Sequence, residues 1–126
     1  MKAYKYLPHR PPFVYLDEVE ITESGRAGKG IRRVPFNEPS VKGSGFLPSV
    51  FIIEAMAQLS GIISGKEAGI LAGVRDFEFY GPVEAGETLA LQSRLESSFG
   101  GLYIFRCEAH ASGKPSAAGK VVLQLK

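Results

Sequence analysis

Hydrophobic and polar positions alternate most clearly in the second half of the chain. Over residues 88 to 96, TLALQSRLE, the side chains of Leu89, Leu91, Ser93 and Leu95 fall on one face and those of Ala90, Gln92, Arg94 and Glu96 on the other. Residues 102 to 110, LYIFRCEAH, repeat the pattern, with Tyr103, Phe105, Cys107 and Ala109 opposing Ile104, Arg106, Glu108 and His110. A period of two is what a strand with one buried face produces. Gly100-Gly101 marks a turn between the two, and Ser112-Gly113-Lys114-Pro115 marks another before VVLQLK, 121 to 126, closes the chain as a strand. Upstream, residues 70 to 80, ILAGVRDFEFY, read as a strand that leads into the turn-rich GPVEAGE.

The first half holds two more strands and a different period. Residues 1 to 12 carry Pro8, Pro11 and Pro12 and allow at most a helical turn. Residues 13 to 22, FVYLDEVEIT, are rich in β-branched and aromatic residues; Glu23-Ser24-Gly25 supplies a turn, and a second strand is expected over Ala27 to Phe36, making a hairpin. A long loop, NEPSVKGSGFLP at 37 to 48, follows, and long ordered loops in small domains are often functional. A helix is then predicted from Ser49 to Lys66, with Ser49 as N-cap behind Pro48 and with Gly65 and Gly69 bracketing its end.

That helix is apolar on nearly every side, so it is expected to be enclosed rather than laid on a surface. Two strands, one helix and three or four strands are accommodated most simply by an antiparallel sheet of about five or six strands curled around one long central helix, the α+β hotdog arrangement. Ala55, Ala57, Ser60 and Gly61 are the small residues that let the sheet approach the helix.

Composition narrows the function. The length of 126 residues fits one domain over 1–126, and a net charge of +2 argues against a dedicated nucleic-acid binder. A single cysteine, Cys107, excludes an internal disulfide and reads as a small core residue on the face of Tyr103 and Phe105. No Cys/His cluster has metal-ligand spacing, so no metal or cofactor is expected. No apolar run reaches 18 uninterrupted residues and the N-terminal stretch has no signal-like apolar core, which makes a cytoplasmic protein without a membrane partner the expectation.

One residue stands out against this background. Glu54 lies in the second turn of the apolar helix, and an unpaired buried carboxylate costs several kcal/mol. Two readings stay open. Gln58, at i+4, is placed to satisfy the carboxyl by a hydrogen bond. Alternatively Glu54 is a general acid or base whose pKa burial raises, behind a loop whose backbone N–H groups are able to hold a thioester carbonyl.

The segments LPHRPPFVYLDEV at 7 to 19, NEP at 37 to 39, EAMAQLSG at 54 to 61 and VRDFEFYGPVEAGETLALQSRL at 74 to 95, with a final hairpin around SGK, resemble the β-hydroxyacyl-ACP dehydratases over essentially the whole chain and in the right order. The resemblance implies a hotdog fold, a dimer with sites at the subunit interface, and acyl groups carried on acyl carrier protein or coenzyme A. It implies that a histidine removes the proton next to the thioester carbonyl, that an acidic residue on the other subunit's helix takes the hydroxyl out as water, and that a backbone N–H at a Pro-Gly step binds the carbonyl oxygen. Glu54 matches the acid and Pro48 the proline, with Ser49 in the glycine's place, so the N–H groups of Ser49 and Val50 are the carbonyl-binding candidates.

The histidine position is filled by Ser40 or Ser44, according to where the gap is set. A serine hydroxyl titrates too far from neutrality to act as that base without activation. The two histidines of the chain are His9, in LPHR, and His110, which alternation sends to the outer face; His9 remains a possible assistant, with a structural role the better expectation. Phe46, Leu47, Phe51, Ile52 and Phe79 are candidates for an acyl tunnel, although such side chains are more often plain core. Lys5 and Arg10 are candidates for docking an acidic carrier.

Three functions fit: a (3R)-hydroxyacyl-ACP dehydratase-like enzyme working through Glu54; a hotdog thioesterase with one helical carboxylate; and a partner subunit that lends Glu54 to an active homologue in a mixed dimer. A homodimer or a higher oligomer of dimers is the expected assembly, with a heterodimer with an active homologue as the alternative.

Overall fold

The computed structural model describes residues 16–37, 41, 45–66 and 70–125. Six strands and one helix follow one another as β1 (Glu18–Glu23), β2 (Ala27–Arg33), α1 (Ser49–Ser64), β3 (Ile70–Phe79), β4 (Thr88–Phe99), β5 (Leu102–Ala111) and β6 (Lys114–Gln124). The strands form one antiparallel sheet in the order β1-β2-β4-β5-β6-β3, with α1 packed on one face. This is the hotdog arrangement, and β1 and β3 are its edges.

The alternation read from the sequence sets the register. Leu89, Leu91 and Ser93 of β4 and Phe105, Cys107 and Ala109 of β5 are buried, while Gln92, Arg94, Arg106 and Glu108 are exposed. Leu91 pairs with Ala109 and Ser93 with Cys107, so each transverse row presents matched faces. His110 pairs with Ala90 on the outer face, where it helps line a cavity of about 950 Å³ with Lys29 and Gln92.

Helix and sheet come close where β2 has no side chains in the way. A Cβ at Gly28 would lie 2.9 Å from both the Glu20 carbonyl oxygen and Ile63 Cγ1. The buried helix face is Ile52, Ala55, Met56, Leu59, Ser60, Ile62 and Ile63. A short polar chain joins it to the sheet. The Ser60 hydroxyl donates to the Met56 carbonyl at 2.8 Å and meets the Ser93 hydroxyl at 2.7 Å; the Cys107 thiol donates to Ser93 at 3.4 Å. Each hydroxyl has one proton, so the bonds run one way, from Cys107 to Ser93 to Ser60 to Met56.

Several expectations need correction. Pro48, with φ −59° and ψ 142°, occupies the N-cap position, so Ser49 is already helical and makes no side-chain cap bond. The helix ends at Ser64 with Gly65 as its C-cap, short of Lys66. Of the four small residues, Ala55 and Ser60 face the sheet, whereas Ala57 and Gly61 are only partly buried on the other side. The β2 strand stops at Arg33; among the described residues β1 spans Glu18–Glu23, and the start expected near residue 13 lies outside them. The β6 strand starts earlier than predicted, at Lys114. Pro115 is tolerated there because the register slips between Ala109 and His110, and a proline that cannot donate to the ladder belongs at such an irregularity.

The described residues do not fully enclose the helix. Val50, Ile53, Glu54, Ala57, Gln58, Gly61 and Ser64 recur at helical spacing on the side away from the sheet, and all keep solvent access. Cover also thins toward β3. Along one transverse row of the inner face, Phe105 is 0% exposed, Val121 1% and Val74 of β3 38%.

Candidate active site

Glu54 projects from the second turn of α1 on this open side and is partly buried. Gln58 follows one turn later on the same face, also partly buried. The carboxylate therefore has the helical neighbour expected of it but is only partly enclosed, because the stripe around it keeps solvent access among the described residues.

Ser49 and Val50 open the helix, where backbone N–H groups have no intrahelical carbonyl to meet and the helix dipole is positive. Neither residue is buried. No acidic residue lies in the first turn to compete for those N–H groups. Glu54 and this pair of donors are thus on consecutive turns of one rigid element.

The tunnel candidates divide. Leu47 and Ile52 are fully buried core residues, Phe51 is partly buried against the core, and Phe46 and Phe79 are exposed. His9, Ser40 and Ser44 lie outside the described residues, as do Lys5 and Arg10. Cys107 is buried, and burial pushes its thiol up, with the Ser93 and Ser60 hydrogen bonds acting the other way; it is a core group. Among the described residues no group of three or more His, Cys, Asp or Glu side chains is placed to hold a metal ion, and no helix is long and apolar enough to cross a membrane.

Sequence reasoning missed the segment that holds the chain just before the helix. The Leu47 N–H donates to the Val83 carbonyl at 2.8 Å, and Phe46 bridges Glu84, so the turn after β3 fixes the entry to α1. The pairing spans almost forty residues, and the only local sign of it was the cluster of turn formers in GPVEAGE.

Comparison with known proteins agrees with this architecture. The profile of the ApeP-like family, ApeP dehydratase, matches residues 1–124. The chain is 38% identical over 120 residues to the 3-hydroxyacyl-[acyl-carrier-protein] dehydratase FabZ of Syntrophotalea carbinolica, covering 86% of this chain and 82% of that protein. It is 37% identical over 134 residues to the FabZ of a Wolbachia from Drosophila simulans, covering 97% and 94%. In structure it resembles a chain of the dehydratase heterocomplex ApeI:P from Xenorhabdus doucetiae, with a TM-score of 0.86, 26% identity, and coverage of 100% and 91%. A hypothetical thioesterase protein from Streptococcus pneumoniae, solved with coenzyme A, shares the fold alone, at a TM-score of 0.71 and 11% identity over 86% of each chain. With the family profile matched over nearly its whole length and the hotdog fold in place, the chain is a dehydratase-like protein of the ApeP-like family.

Proposed function

We propose that this chain takes part in the dehydration of 3-hydroxyacyl groups held as carrier-protein thioesters, and that it contributes Glu54 to a site completed by a second subunit bearing the histidine. The observation that carries the reading is the open side of α1, where Glu54 sits in an apolar stripe that the described residues leave only partly covered. The FabZ relatives, with that activity in their names, and the ApeI:P heterocomplex support it. The whole chain, 1–126, is read as one domain working in the cytoplasm.

In this reading the thioester carbonyl rests on the N–H groups of Ser49 and Val50, which stabilise the negative charge that develops on its oxygen. The partner's imidazole takes the proton from the carbon next to the carbonyl. Glu54, protonated, gives its proton to the departing 3-hydroxyl, which leaves as water; a carbon–carbon double bond forms and the thioester remains intact. Covering the helix face excludes water from the site. Phe46, Phe51 and Phe79 are the apolar groups nearest the loop and strand ends that are available to the acyl chain. Gln58 is the group that orients Glu54.

Mixing purified chain with a histidine-bearing homologue of the same organism, and offering 3-hydroxyacyl carrier protein, tests this. Enoyl thioester is expected from the mixture and not from this chain alone. Thiol release without enoyl product, from either sample, would replace the reading with hydrolysis. Turnover by this chain alone would reject the shared site. Repeating the assay with the coenzyme A thioester, expected to be the poorer substrate, identifies the carrier.

A further inference from the structure

The loop between β2 and α1 is gripped at both ends by one short turn. At its entry, the Val34 N–H donates to the Glu87 carbonyl at 3.0 Å and the Gly86 N–H donates back to the Val34 carbonyl at 2.5 Å. At its exit, Leu47 bonds Val83 and Phe46 bridges Glu84. Val34, Leu47 and Val83 are buried, so the grip is anchored in the core. Gly86 has φ +90°, and a Cβ there would lie 2.6 Å from the Phe36 ring. The ring rests on bare backbone at the loop's entry although Phe36 is 85% exposed.

The turn owes its shape to Glu87. Its N–H donates to the Glu84 carbonyl at 3.1 Å, and its carboxylate uses both oxygens. One accepts from the Glu84 N–H at 2.8 Å and the other from the Ser112 hydroxyl at 2.6 Å. Ser112, at φ +51°, belongs to the turn joining β5 and β6, so Glu87 ties the 83–87 turn to a separate hairpin.

We propose that Glu87 is a positioning residue for the dehydration site: by locking the 83–87 turn to Ser112 it fixes both limbs of the loop before α1 and, through Leu47, the start of the helix that carries Ser49, Val50 and Glu54. The inference rests on the function proposed above. Glu87 touches no reacting group; it acts through the backbone of Val83 and Glu84.

The ionisation of Glu87 supports this arrangement. The Ser112 hydrogen bond, then the Glu84 N–H, hold its carboxyl below the usual carboxylate range, and Lys114 on β6 adds attraction. Lys114 is the charged group that acts on it, and Glu84 reaches it through its backbone N–H. A carboxylate depressed on folding contributes fully at neutral pH and loses its contribution as pH falls through the carboxylate range. The lock therefore weakens in acid.

The test uses the full chain assembled with its histidine-bearing partner. Glu87→Ala is expected to lower kcat about tenfold with KM within about twofold, since a misplaced site loses rate without losing substrate. It is also expected to speed hydrogen exchange at the Leu47 amide about tenfold or more. Glu87→Gln keeps an acceptor for the Glu84 N–H, so it should restore most of kcat. Should Glu87→Ala fail to fold, Ser112→Ala is measured in its place, with smaller shifts of the same sign. Unchanged Leu47 exchange, or a Glu87→Gln kcat no higher than that of Glu87→Ala, overturns the proposal; a turn that merely stabilised the fold would lower Tm and leave Leu47 exchange and kcat as they were. If the assembled wild-type protein forms no enoyl product, the functional reading fails, and Leu47 exchange alone still decides whether Glu87 holds the loop.

Discussion

Helix α1 has one side that the described residues finish and one that they do not. Toward the sheet, Ile52, Ala55, Met56, Leu59 and Ile63 are fully buried, and the one polar group there, Ser60, is hydrogen-bonded through to Ser93 and Cys107. Away from it, Val50, Ile53 and Ala57 keep solvent access around Glu54. The sheet shows the same gradient, from Phe105 on an inner strand to Val74 on the β3 edge, whose outer ladder groups have no strand to pair with among the described residues. Apolar area left open in this way is normally covered by another subunit. The finished side specifies the fold, and the chemistry proposed for Glu54 falls on the unfinished side.

Substitutions on the two sides should therefore fail differently. The largest loss of stability is expected from Phe105→Ala in the finished half, about 3–5 kcal/mol in denaturant unfolding, because the cavity adds to the lost transfer energy. On the unfinished half, Val74→Asp should change the stability of the isolated chain by less than about 0.5 kcal/mol, as exposed substitutions do. The same change should weaken assembly with the partner subunit at least about tenfold in sedimentation, by placing a charge in a surface meant to be covered. If Phe105→Ala and Val74→Asp lowered stability alike, the contrast between the halves would be lost. The smallest effect is expected at Ser93→Ala, about 1 kcal/mol, because Ser60 keeps its bond to the Met56 carbonyl and Cys107 keeps the Phe105 carbonyl within reach at 3.8 Å. A loss several times larger would mean that the polar chain, rather than the apolar face, holds the helix to the sheet.

Much of the finished half was legible in the sequence. The period of two over residues 88–96 and 102–110 placed Leu89, Leu91, Phe105 and Cys107 inward, and the structure keeps each of them there. Such a pattern is local, and burial of one face leaves it little freedom. The β6 start was misread because Pro115 and Gly113 are turn residues by composition, and only the strand opposite shows that the ladder slips to admit the proline. Ser49 was given the cap by residue type, whereas the backbone of Pro48 had already taken the position.

The candidate site was legible in one residue and not in its surroundings. Glu54 was conspicuous because a carboxylate in an apolar helix needs a reason. Uniform apolarity of that helix was read as enclosure by one sheet, since a sequence records that a face is buried but not which chain buries it. The Glu87–Ser112 lock and the Leu47–Val83 pairing escaped for a related reason, in that the partners are distant in sequence and neither has a pattern of its own.

The most direct measurement is dehydration by the assembled complex carrying Glu54→Gln in this chain alone. The substitution keeps size and hydrogen bonding but removes the proton donor. Enoyl formation should fall about 10²- to 10⁴-fold, the usual contribution of a positioned general acid or base, with the complex intact by sedimentation. Wild-type turnover by an intact complex carrying Glu54→Gln would show that this chain lends no catalytic carboxylate and would contradict the account.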